Sequence, residues 1–98
     1  MYLIRDVFQA KPGKAKELVN KFKKAIPFME EQGMKGSKVL TDIAAPYWTV
    51  VFESETEDLG EFAKELRGGG TMDPELIKIM EGYMELITGG YREIFIIE

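Results

Sequence analysis

The chain has 98 residues, 45% hydrophobic and 31% charged, with four prolines, no cysteine and no histidine. That length suits one domain, residues 1–98, and the apolar content is too high for a disordered chain. Lacking both Cys and His, it cannot carry a disulfide framework, a thiol nucleophile, a Ser-His-Asp relay or a histidine-bound haem. Any acid–base chemistry falls to Asp, Glu, Lys or Tyr.

No apolar run approaches the roughly 18 residues that span a membrane. The opening MYLIRDVF carries Asp6 and has no cleavable signal pattern, so a cytoplasmic protein with no membrane partner is expected. The net charge of −4 is unevenly divided. Residues 1–52 carry nine basic and five acidic side chains; residues 53–98 carry four and twelve. Six lysines fall between Lys11 and Lys24. They read as the solvated face of a helix. No aromatics interleave them and the acidic molecule would repel a polyanion, so no nucleic-acid partner is expected.

Residues 2–10, YLIRDVFQA, predict a first strand, closed by the turn residues KPG at 11–13. Ala15, Leu18, Val19, Phe22, Ala25, Ile26 and Met29 then recur at helical spacing. Pro27 lies inside that stripe and predicts a kink or break, with Gly33 as the helix stop. A second strand is expected over 36–44, with Val39, Thr41 and Ile43 on one face. Ala45-Pro46 then makes a short hairpin turn.

The third strand, YWTVVFESE from Tyr47, is β-branched and aromatic on both sides of the pleat. Trp48, Val50 and Phe52 point one way, Tyr47 and Val51 the other. A second helix starts near Asp58, where Asp58 and Glu61 resemble a capping box, with Leu59, Phe62, Ala63 and Leu66 as its stripe. RGGGTMDP, 67–74, lacks the Gly-Lys-Ser/Thr of a phosphate loop and reads as a mobile connector able to act as a lid. Asp73 and Pro74 restart a helix, striped by Leu76, Ile79, Met80, Tyr83, Met84 and Ile87, with Gly89 and Gly90 ending it. YREIFIIE, from Tyr91, is the last strand.

The order β-α-β-β-α-α-β is that of a ferredoxin-like α+β protomer: a four-stranded antiparallel sheet with helices on one face. The other face would expose Leu3, Val7, Tyr47 and Val51. A second copy packed face to face covers it most simply, so a homodimer is expected.

The chain resembles the dimeric α+β barrel superfamily over nearly its whole length. The resemblance rests on the first strand ending in KPGK at 11–14, on FESETED at 52–58, and on the closing MEGYMELITGGYREIFIIE, which is similar to NIPSNAP-like and antibiotic-biosynthesis-monooxygenase-like proteins. It implies a pocket between sheet and helices and, in some members, cofactor-independent oxygenation of an aromatic substrate. The haem-degrading branch carries Asn, Trp and His where this chain has Asp6, Phe52 and Phe62, so haem degradation is not expected. No cofactor is expected, and no spacing matches a zinc or calcium site.

Asp6 is the most informative polar residue. It lies mid-strand between Ile4 and Phe8 on its own face. A carboxylate there must be paired, or else serve as a base in a pocket. Arg5 and Arg92 also interrupt apolar strands, either to bind an anionic substrate or to pair with Glu53 or Glu93. If the chain is an enzyme, Asp6 and Tyr83 are its expected catalytic residues, with Phe8, Trp48, Phe52 and Met80 binding an aromatic or conjugated substrate. The alternative is a non-catalytic ligand-binding or stress-associated homodimer, with core packing accounting for the same aromatics.

Overall fold

The structure is a computed structural model that describes residues 1–66 and 73–98. Its elements are β1 (Tyr2–Ala10), α1 (Ala15–Glu31), β2 (Lys35–Thr41), β3 (Thr49–Thr56), α2 (Leu59–Leu66), α3 (Pro74–Met80), a 3-10 turn (Tyr83–Leu86) and β4 (Ile87–Ile96). The strands form one antiparallel sheet in the order β2-β3-β1-β4. This is the ferredoxin-like α+β arrangement expected from the sequence. Of the connector expected at 67–74, residues 67–72 lie outside the described residues.

The register sorts the sheet into rows. On the helix face Val39, Phe52, Asp6 and Arg92 stand side by side, and next to them Thr41, Val50, Phe8 and Gly90. Ile4, Val50 and Ser54 on this face and Leu18 of α1 are almost wholly buried. Phe22 and Ala25 of α1 complete the seam against the sheet. On the opposite face Leu40, Val51, Val7 and Tyr91 form an apolar row. The adjoining row, Lys38, Glu53, Arg5 and Glu93, is charged. Glu53, only 8% exposed, lies 3.3 Å from Arg5 and 3.4 Å from Lys38. The Arg5 Nε contact lacks the alignment of a hydrogen bond, so its hold is ionic.

Several expected boundaries move. α1 runs unbroken through Pro27. Pro27 and Lys23 are both exposed, so the Lys23 carbonyl that loses its helical donor can turn to water while the buried face continues. Gly33 does stop the helix. At φ 96° it donates to Glu30 O at 3.1 Å, and the next amide, Met34, donates to Met29 O at 3.2 Å. These two bonds are a Schellman closure, and Met34 is buried beside them.

β2 ends at Thr41, which leaves Ile43 fully exposed in a loop instead of on the strand face. β3 begins at Thr49, so Tyr47 and Trp48 belong to that loop and not to the strand. Trp48 has φ 65°, a left-handed conformation rare for a bulky residue. The backbone is held there from both sides. The Thr49 N–H donates to Asp42 Oδ1 at 3.0 Å, and the Ala10 N–H donates to the Trp48 carbonyl at 2.9 Å.

The helix expected to continue to Ile87 ends at Met80. Glu81 turns extended, Gly82 takes φ 80°, and the chain passes through the 3-10 turn into β4. Gly89 and Gly90 are therefore strand residues, opposite Gln9 and Phe8. A Cβ on Gly90 would stand 2.5 Å from the Val7 carbonyl oxygen, which is why glycine occurs where β1 and β4 close on each other.

Candidate functional site

A cavity of about 440 Å³ lies between the sheet, α1 and α3. Its floor is Asp6, Phe8, Phe52 and Arg92 from the sheet. Phe22, Ala25 and Met29 of α1 form one wall; Leu76, Ile77 and Met80 of α3, with Glu81, form the other. Tyr83 completes the lining. The aromatics are continuous. Phe22 sits 5.2 Å from Phe8 and 5.3 Å from Phe52 between ring centroids, and Tyr83 meets Phe8 edge-on at 6.3 Å. A mostly apolar cavity with a few converging polar groups has the composition of a small-molecule site.

Each polar group has a local reason for its place. Asp6 is on the helix face because β1 alternates, with Ile4 and Phe8 on the same side. Arg92 stands directly across from it in the β1–β4 register. The two form a fork: Arg92 Nε donates to Asp6 Oδ1 and Nη2 to Asp6 Oδ2, the second at 3.3 Å. The guanidinium carbon also lies 5.2 Å from the centre of the Phe62 ring on α2, a cation–π contact. Arg92 therefore joins β1, β4 and α2. It does not pair with Glu53 or Glu93, as a reading of the strands alone expected. Arg5 does pair with Glu53, on the opposite face of the sheet.

Asp6, Phe8, Phe52, Met80 and Tyr83 are thus brought to one cavity. Trp48 is not among them, which corrects its expected place. It is 42% exposed and lines a separate surface groove with Ala15, Lys16, Val19 and Tyr47. The cause is the late start of β3: the loop turns Trp48 away before the strand's alternation begins. Tyr83 reaches the cavity from the 3-10 turn and not from a helix.

Arg92 and Glu81 also line the cavity, which sequence reasoning left out, and Lys21, outside the lining, has a role it missed. The signal for Arg92 was present: a lone cation in an apolar strand, on a strand that must pair with the one carrying Asp6. Lys21 was read as part of a solvated lysine face. Its ammonium instead donates to the Ile79 carbonyl at 3.2 Å and the Glu81 carbonyl at 2.8 Å. Among the described residues no group of three or more acidic side chains is arranged to hold a metal ion. No helix among them is long and apolar enough to cross a membrane.

The chain has the fold of NIPSNAP domain proteins and of proteins likened to antibiotic biosynthesis monooxygenases. An uncharacterised NIPSNAP domain protein from Burkholderia xenovorans superposes with a TM-score of 0.76 at 14% identity, over 100% of this chain and 95% of that one. A NIPSNAP family protein from Agrobacterium tumefaciens gives 0.76 at 16% identity, over 97% and 90%. A candidate antibiotic biosynthesis monooxygenase from Deinococcus radiodurans gives 0.74 at 14% identity, over 100% and 93%. At these identities the likeness is one of fold. No protein-family model and no curated protein matches the sequence.

Proposed function

We propose that this chain is a small-molecule-binding protein that works as a homodimer, with the Asp6 cavity taking an aromatic or conjugated ligand. The observation that carries this reading is the cavity itself: a run of aromatic rings over a floor holding one carboxylate and one guanidinium. A planar ligand can lie against Phe8 and Phe52 and present a hydroxyl to Asp6. The carboxylate keeps acceptor capacity beyond its two bonds to Arg92.

In the catalytic form of this proposal Asp6 accepts the ligand's hydroxyl proton and Tyr83 donates a hydrogen bond to the oxygen it leaves charged. The resulting electron-rich ring reacts with molecular oxygen without a cofactor: the ring supplies all four electrons and loses one C–H and the hydroxyl hydrogen, one oxygen atom becomes the second carbonyl of a quinone, and the other leaves as water with the two hydrogens. The fold neighbours described as monooxygenase-like support this form. A second reading is favoured by the Asp6–Arg92 fork, which engages both carboxylate oxygens. In it the site binds and does not turn over.

The homodimer is proposed from the uncovered sheet face. Tyr91 and Phe95 remain 63% and 47% exposed there, beside the half-buried Leu40, Val51 and Val7. Surface of this kind is costly to leave in water.

The experiment titrates 2-naphthol and 1-naphthol into wild type and Asp6→Asn by calorimetry, with oxygen uptake followed in parallel. Binding that weakens about tenfold in the variant, the scale of one lost charged hydrogen bond, supports the site. Oxygen uptake lost in Asp6→Asn supports the catalytic form; binding with no uptake supports the second reading. Equal affinity in the two proteins excludes Asp6 from the site.

A further inference from the structure

We infer that Lys21 is the positioning residue that sets the α3 wall of the cavity and the entry of Tyr83, so that its charge regulates ligand affinity without touching the ligand. This rests on the reading of the cavity as a ligand site.

α3 is seven residues long, too short to hold its own shape in water. Its start is fixed by Asp73, whose carboxylate accepts from the Glu75 N–H at 2.8 Å. Its end has no comparable device within the helix: at Glu81 the backbone turns extended, and Gly82 follows in the left-handed region. The last carbonyls of a helix lack intrahelical donors and carry the negative end of its dipole. Lys21 supplies both a donor and a positive charge there. Its ammonium bridges the carbonyls of Ile79 and Glu81, the residues flanking Met80.

The consequence for the cavity is geometric. Phe22 and Ala25, beside Lys21 on α1, form one wall, while Met80 and Glu81 belong to the other. The staple ties the walls together at the end nearest Tyr83, which follows Glu81 by two residues. Among the described residues Lys21 has no acidic partner. Its hydrogen bonds go to the α3 terminus, while Glu17 and Glu75 line the same surface groove as Lys21 without pairing with it. Pulling Lys21 away would leave the floor and the α1 wall in place, since Phe8, Phe22 and Phe52 pack on one another independently. Ile79 and Glu81, on either side of Met80, would lose the donor that ties them to α1, and Tyr83 would be held by its edge contact with Phe8.

The test compares wild type, Lys21→Met, which keeps the apolar stem, and Lys21→Arg, which keeps the charge and donors. Two quantities are read in each: amide hydrogen exchange and 2-naphthol affinity. In Lys21→Met the Glu81 and Glu85 amides should exchange about tenfold faster, with sheet amides unchanged, as expected for local opening. Affinity for 2-naphthol should fall about fivefold, and Lys21→Arg should restore both. A merely structural role would speed exchange across the whole sheet, and that pattern overturns the inference. So does unchanged exchange at Glu81 and Glu85, or faster exchange with unchanged affinity. If wild type itself binds no 2-naphthol or 1-naphthol, the cavity reading fails first, and the regulatory role of Lys21 fails with it.

Discussion

At the scale of single residues the site turns on Asp6 and Arg92. Asp6 was visible in the sequence because a carboxylate between Ile4 and Phe8 breaks an apolar face. Its partner was not, because pairing across β1 and β4 depends on a register that only the folded sheet fixes. The fork is partly sheltered, with side chains 19% and 37% exposed, so it should contribute modestly to stability. A double-mutant cycle with Asp6→Asn and Arg92→Met, followed by chemical unfolding, should give a coupling energy of about 1–2 kcal/mol. A coupling indistinguishable from zero would mean that the fork adds nothing to stability. Trp48 shows the limit of pattern reading at this scale. Its neighbours alternate as a strand does, but side chain–backbone bonds from Asp42 and Gln9 hold the loop, and propensity does not encode them.

At the scale of elements, the order and type of every described strand and helix were legible from periodicity, while ends were set by contacts between elements. Pro27 predicts a kink or break in α1, yet burial of Phe22 and Ala25 on one side and the Gly33 closure beyond it carry the helix across unbroken. Pro27 then sits exposed in a helix interior, where proline costs about 3 kcal/mol relative to alanine. Pro27→Ala should therefore raise the unfolding free energy by about 1–3 kcal/mol, read from the midpoint of a denaturant curve. A variant no more stable than wild type would show that α1 is already broken there. Glycine commonly ends helices, so ITGGY predicts a helix stop. Both glycines instead lie in β4, and Gly90 serves a close approach between strands, where a Cβ would stand 2.5 Å from the Val7 carbonyl oxygen.

At the scale of the whole molecule, two faces of one sheet take different roles. The helix face, the core and the cavity floor were legible, because alternation assigns Ile4, Asp6, Phe8 and Phe52 to one side. The cavity walls were less so: they depend on how α3 ends and on Lys21, whose partners are backbone carbonyls. The open face carries the proposed dimer. Val51 lies mid-row between Leu40 and Val7, so Val51→Asp would place an unpaired charge in that contact. Sedimentation of wild type at micromolar concentration should give about twice the 11.2 kDa chain mass, and Val51→Asp should give one chain's mass or fail to fold. A wild-type monomer would remove the proposal. The central claim, that the chain receives a small aromatic molecule over Asp6, is tested most directly by methyl resonances of labelled methionine. Met29 and Met80 line the cavity from opposite walls, whereas Met1 and Met34 lie outside its lining. Titration with 2-naphthol should shift Met29 and Met80 together and leave Met1 and Met34 in place; a titration that moves neither cavity methyl would contradict the account.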